Sequence, residues 1–158
     1  MAGTMWRDRL YTSLSWLHRR AVDRLGGSTV GVRAFVLDPG ERLLLVRHTY
    51  RSGWYLPGGG VQRGETAQQA LRRELAEEVG LTLTAPPELF GVYFGRYEGI
   101  NDFPVVFVVR RFEMAPAASP EIAERRWFAL DEIPPDASPG TRRRIDELRR
   151  GAERSERW

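Results

Sequence analysis

Apolar positions recur along the chain with two different periods. In the first 25 residues Trp6, Leu10, Leu14, Leu17, Ala21 and Leu25 return every three or four positions with arginines between them. That spacing predicts an amphipathic helix, closed by Gly26-Gly27 and packed on or beside the rest of the chain. Thr29 to Leu37 is β-branched and apolar, Asp38-Pro39-Gly40 is a turn signal, and Arg42 to Arg47 resumes with Leu-Leu-Leu-Val, so the pair predicts a β-hairpin. Helical spacing returns from about Thr66 to Val79, where Thr66 and Gln69 suit a capping box and Gly80 the residue past the end. Further strands are predicted at Leu89 to Tyr97, Val105 to Phe112 and Arg126 to Leu130. Ser138-Pro139 suits the start of a last helix whose apolar content is little more than Ile145 and Leu148. That helix is expected to pack lightly and to fray beyond Arg150. Three parts result: an N-terminal helix over 1–27, a domain over 28–150 and a frayed tail over 151–158.

Composition narrows the class. A chain of 158 residues with 42% apolar content suits one domain with a core of its own. The absence of cysteine excludes a disulfide framework, a thiolate metal site and a cysteine nucleophile. All basic residues are arginine, and the net charge is +3, with the excess gathered towards the two ends. Such a balance does not by itself predict stable nucleic-acid binding. No apolar run reaches the roughly 18 residues needed to cross a bilayer, and no secretory signal precedes the first strand. A soluble cytoplasmic protein without a membrane span is the expectation.

The candidate chemistry sits on the helix from Thr66. With Leu71 at the centre of its buried face, Ala67, Leu75 and Val79 form the apolar stripe. On the same wheel Glu78 lies only about 20° from Leu71, Glu74 about 60° and Glu77 about 120°. Three carboxylates thus overlap the edge of the core stripe, where solvated glutamates would not be placed. Their mutual repulsion is relieved by a cation. An all-oxygen set suits Mg²⁺, or Mn²⁺, rather than zinc. The alternative is a helix whose arginines and glutamates satisfy one another as ion pairs. Gly58, Gly59, Gly60 and Gly64 precede the helix and let backbone approach a metal or phosphate closely.

Gly59, five residues, Glu65, seven residues, and then Arg73-Glu74-Leu75-Ala76-Glu77-Glu78-Val79-Gly80-Leu81 resembles the complete 23-residue Nudix box. The resemblance implies an α/β/α sandwich around a mixed central sheet. It also implies hydrolysis of a nucleoside diphosphate linked to another moiety: a nucleotide sugar, ADP-ribose, a dinucleotide or a nucleoside triphosphate. By the same resemblance Glu77 and Glu78 are the main metal ligands, with Glu74 a further ligand or the general base. Glu65 supports the metal site, Arg73 orients a glutamate, and a carbonyl near Gly59 joins the coordination. Two other readings compete: a hydrolase of RNA 5′ ends, and a sensor that binds nucleotide without turnover. Members of that family are often dimers, which makes a homodimer the partner to test besides the nucleotide substrate.

Outside the box the candidates are weaker. Glu98 and Asp102 lead Glu121 and Glu124 as loop acids that complete the site, and Arg33 and Arg47 are candidates for phosphate oxygens. Trp54, with Tyr55, Tyr93, Tyr97 and Phe103, offers a flat face for a base or sugar. His18 and His48 are too sparse for a histidine metal site and read as structural or surface residues.

Overall fold

In the computed structural model β1 (Ser28–Val36) is buried from Gly31 to its end except at Arg33. A strand enclosed in this way must satisfy both of its edges. The structure describes residues 27–97, 99–116, 119–151 and 154–158, so the N-terminal helix expected over 1–27 lies, but for Gly27, outside the described residues, as does Glu98. One edge of β1 runs parallel to β6 (Ile100–Val109), from Ser28 opposite Asn101 to Val36 opposite Val109. The other edge takes the segment 54–61: Ala34 donates to the Pro57 carbonyl at 3.0 Å and Val32 to that of Gly59 at 2.8 Å, while Val61 donates to Val30 at 2.9 Å.

That arrangement overturns the expected hairpin. β2 (Leu43–His48) meets β1 only at one bridge between Leu37 and Leu43, and pairs instead with β8 (Ile122–Phe128) in antiparallel register. The physical reason is competition for an edge: Tyr55 exchanges both backbone hydrogen bonds with Val46 at 2.9–3.0 Å, so the glycine-bearing segment is wedged between β2 and β1.

β4 (Glu88–Val92) and β5 (Gly95–Tyr97) run antiparallel to β6, which makes the sheet mixed. The run expected as one strand from Leu89 to Tyr97 is therefore broken at Tyr93-Phe94. Two short strands, β3 (Leu81–Leu83) and β7 (Phe112–Met114), pair with each other.

The two described helices cover opposite faces. α1 (Ala67–Val79) inserts Ala70, Leu71, Leu75 and Val79 among Val32, Ala34, Val36 and Val109. α2 (Pro139–Arg150) puts Ile145 and Leu148 against Phe35, Leu37, Phe90 and Val108. The result is an α/β/α sandwich around mixed β structure. No helix among the described residues is long and apolar enough to cross a membrane.

Residues 154–158 differ from the frayed tail expected from their sequence. Phe94 donates to the Glu156 carbonyl at 2.7 Å and Trp158 donates back to Phe94 at 2.9 Å. Trp158 packs edge-on to Tyr93 and lies against Gly140, where a Cβ would stand 2.3 Å from the indole nitrogen. These contacts are far apart in sequence, so local composition carries no sign of them.

Candidate active site

The helix α1 begins as its sequence predicts: the Thr66 hydroxyl accepts from Gln69 N, and Gln69 Oε1 accepts from Thr66 N. It ends at Gly80 with φ 69°, whose N–H caps the last turn. This register fixes where each glutamate stands. Glu78 is turned into the molecule and is only 6% exposed. Its Oε2 accepts a 2.8 Å hydrogen bond from the Gly58 N–H. Burial pushes its pKa up to about 7, against the pull of that bond and of the nearby Arg33 charge.

Glycine is required in the loop above for two different reasons. Gly58 has φ 134°, and a Cβ there would lie 2.2 Å from the Val32 carbonyl oxygen, so backbone would collide with backbone. At Gly59 a Cβ would meet the Glu74 carboxyl at 2.4 Å. Glu74 thus stands where the missing side chain would be. Its pKa is raised by burial, against the Arg73 hydrogen bond.

Arg73 organises the outer side. Its Nε and Nη2 donate to the two oxygens of Glu65 at 2.7 and 2.9 Å, Nη1 to Glu74 at 2.6 Å and Nη2 to the Gly60 carbonyl at 3.0 Å. The bidentate grip holds the Glu65 carboxyl down at about 2. Glu77 is the outlier: its side chain is 62% exposed and reaches Arg73 only at 3.6 Å. Among the described residues no three acidic or histidine side chains converge closely enough to enclose a metal. Glu74 nevertheless lies within reach of the charge of both Glu77 and Glu78. The donor set fits a hard divalent cation in two respects: a buried carboxyl that has no ion-pair partner among the described residues, and a second one lodged against a bare glycine. The Gly59 carbonyl itself accepts from Val32 N and, at 3.3 Å, from Arg33 Nη1.

The remaining sequence candidates divide. Arg33 stands at the glycine loop, donating to the Val32 and Gly59 carbonyls. Asp102 belongs to β6 rather than to a loop, accepts from the Thr29 hydroxyl at 2.6 Å and lies within charge reach of Arg33. Arg47 pairs with Asp136 at 3.1 Å and lies over the Trp54 ring. Trp54, at 2% exposure, is a core residue packed on Phe128, so it presents no open face for a base. The bridge from Trp54 to Ala137 is what draws it inward. Two features escaped sequence reading. The Gly58 N–H clasps Glu78, and His48, 5% exposed, is hydrogen-bonded to Arg51. The first joins residues twenty apart in the chain, while the second is local and lies in an irregular turn whose side-chain directions no periodic pattern gives.

An apolar groove of about 570 Å³ between the first turn of α1 and the sheet is lined by Ala67, Leu89, Val92, Val105 and Phe107, not by these carboxylates.

The model of the NUDIX domain matches residues 27–148. The chain is 30% identical to a putative 8-oxo-dGTP diphosphatase of Bacillus subtilis over 79% of this chain and 83% of that protein. It is 38% identical to an oxidized purine nucleoside triphosphate hydrolase of Danio rerio, over 63% of this chain; the match spans 65% of that relative's length. Among solved structures it resembles a MutT NUDIX hydrolase from Burkholderia pseudomallei, with a TM-score of 0.68 and 28% identity over 77% of this chain and 98% of that one.

Proposed function

The chain belongs to the Nudix hydrolase family, and from that premise we propose that it hydrolyses a pyrophosphate bond of a nucleoside diphosphate linked to another moiety, using Mg²⁺ and attack of water at phosphorus. The observation that carries this reading is the buried Glu78 carboxyl clasped under the Gly58-Gly59 loop with Glu74 beside it. Glu74, Glu77 and Glu78 are the residues proposed to hold the cation, with Glu65 supporting them through Arg73. A divalent ion at such a site neutralises diphosphate charge and acidifies water.

The residues of the chain supply the rest. Arg73 fixes Glu74 at a short hydrogen bond and ties it to Glu65, so Glu74 is held ready to accept the proton of the attacking water. Glu77, exposed on the next turn, is the second candidate for that role. The names of the two relatives favour a nucleoside triphosphate with an oxidised purine as the first substrate to try.

A phosphate-release screen with Mg²⁺ and Mn²⁺ over 8-oxo-dGTP, dGTP, ADP-ribose, nucleotide sugars, dinucleotides and 5′-triphosphate RNA tests the reading, with the products identified. Turnover of a small nucleotide, lost in Glu78→Gln, is expected. Inactivity of the wild type across the whole panel contradicts it and favours a nucleotide sensor. Turnover confined to RNA moves the substrate class.

A further inference from the structure

The face of the sheet that carries α1 is covered unevenly. Ala70, Leu71, Leu75 and Val79 of α1 close over Val32, Ala34, Val36 and Val109. Beyond them Val30 at the start of β1 is 42% exposed, and Phe103, its partner in register on β6, is 37% exposed. On β4 Leu89 stands opposite Phe107 and Val92 opposite Val105, and the register shift between Leu89 and Gly91 lets both line one groove although they are three positions apart. Leu89 and Val92 are each 55% exposed. The groove, of about 570 Å³, has the first turn of α1 as its wall and Val105 and Phe107 on its floor. Single exposed apolar side chains are ordinary on a protein surface, but a run of them across three neighbouring strands marks a face built to be covered.

The chain carries a cover of its own. The described residues begin at Gly27, directly before β1, and Val30 follows three positions later. Residues 1–26 lie outside the described residues, and their sequence sets Trp6, Leu10, Leu14, Leu17, Ala21 and Leu25 at helical spacing, with Arg9, Thr12, Arg19 and Asp23 away from that stripe on the same wheel. Strands about 4.8 Å apart make β1, β6 and β4 a face roughly 10 Å across. A helix rises about 1.5 Å per residue, so the stretch from Leu14 to Leu25 is long enough to cross it. Gly26-Gly27 gives the backbone freedom to turn back from β1 onto its own sheet. A short tether also presents the stripe at an effective concentration on the order of millimolar, which favours it over a second copy of the chain or an apolar partner free in solution.

We infer that the apolar stripe of residues 6–25 seats on this face as a helix beside the first turn of α1, over Val30, Phe103, Val105, Val92 and Leu89.

Spin labelling of the full chain tests the seat. The chain has no cysteine, so a nitroxide attached to Thr12→Cys occupies one position, on the side of the helix away from the stripe. The methyl resonances of Leu89 and Val92 are expected to broaden, and those of Leu45 and Ile145, which pack in the core under the other helix, to broaden much less. Unbroadened Leu89 and Val92 overturn the inference. Mixing spin-labelled chains with methyl-labelled chains that carry no nitroxide should leave Leu89 and Val92 sharp; broadening in that mixture assigns the face to a second copy and overturns it as well. Leu14→Asp with Leu17→Asp in the Thr12→Cys chain should abolish the broadening and lower the thermal midpoint by about 4 °C or more. An unchanged midpoint contradicts the seat. Val92→Asp should lower the midpoint of the full chain too, yet add little to the double aspartate variant, because both changes break the same contact. Fully additive losses overturn the inference.

Discussion

Glu78 on α1 and Arg144 on α2 are both buried charges, on helices that cover opposite faces of the sheet, and the fold treats them differently. Arg144 is fully enclosed. Its Nη1 donates to the Arg157 carbonyl at 2.8 Å, its Nη2 to Glu147 Oε1 at 2.7 Å, and the guanidinium lies 4.0 Å from the Tyr93 ring centre. Glu147 in turn accepts from the Tyr93 hydroxyl and from Ser155 N. Of the Arg144 nitrogens, Nε is without a partner among the described residues. Glu78 receives one backbone N–H and no ion pair among the described residues, and its pKa is driven up to about 7. A buried charge wrapped in partners holds a structure together, while one left short of partners marks a place where structure is sacrificed to chemistry.

The strongest way to break this contrast is to remove Arg144. Arg144→Met leaves the Glu147 carboxylate without its partner and the tail without its anchor, so chemical denaturation should show a loss of about 3–5 kcal/mol. Turnover per folded molecule should stay near wild type. A variant as stable as wild type would show that the enclosed network contributes little.

Glu78→Gln should act in the opposite direction. A neutral amide keeps the carbonyl that accepts from Gly58 and removes the buried charge, so the metal-free protein at pH 8 should gain about 2 kcal/mol. Turnover should fall by at least about a hundredfold. A loss of stability in that variant would reverse the reading of Glu78.

Gly59→Ala sharpens the same point on a smaller scale. The new Cβ displaces the end of the Glu74 side chain, not backbone. Turnover should drop about tenfold, a loss worth roughly 1.4 kcal/mol, with stability little changed. Gly58→Ala, which drives Cβ into the Val32 carbonyl, should instead impair folding.

The gentlest test is acid titration of metal-free protein. His48 has a pKa of about 3 in the fold against 6.5 ordinarily, lowered by burial and then by the Arg51 and Arg33 charges. Its contribution is complete above pH 6.5 and is lost as pH falls from there towards 3. Glu78 has the reverse sign: raised from 4.5 to about 7, it penalises the fold above pH 7, and the penalty is relieved as pH falls to 4.5. Between pH 6.5 and 4.5 these two contributions cancel in wild type. In Glu78→Gln the loss at His48 is no longer offset by Glu78, and only the raised Glu74 still opposes it, so stability should fall with acid by up to about 1.4 kcal/mol per pH unit. Parallel pH profiles for the two proteins would refute the pairing.

What was legible in the sequence follows the range of the interactions involved. The cap at Thr66 and Gln69, the stop at Gly80 and the inward turn of Glu78 beside Leu71 are settled within one helix, and all stand where the pattern put them. The Ser138 cap is equally local. The hairpin expected from the turn at Asp38 failed because residues 54–61 take the edge of β1, a competition invisible over a short window. The docking of Trp158 on Tyr93 and Gly140 rests on where separate segments arrive. Of the candidate site, the Arg73 grip on Glu65 spans one loop and helix start and matches the box spacing. The core position of Trp54 depends on the distant Ala137 and does not show in the sequence.

Glu78 and Glu74, under a loop bare of side chains, are the proposed holders of a divalent ion. Titrating Mn²⁺ and following free ion by electron paramagnetic resonance tests that role without reference to any substrate. Wild type should take up Mn²⁺ saturably and Glu78→Gln should lose at least about tenfold in affinity. Equal Mn²⁺ uptake by the two proteins would contradict the account.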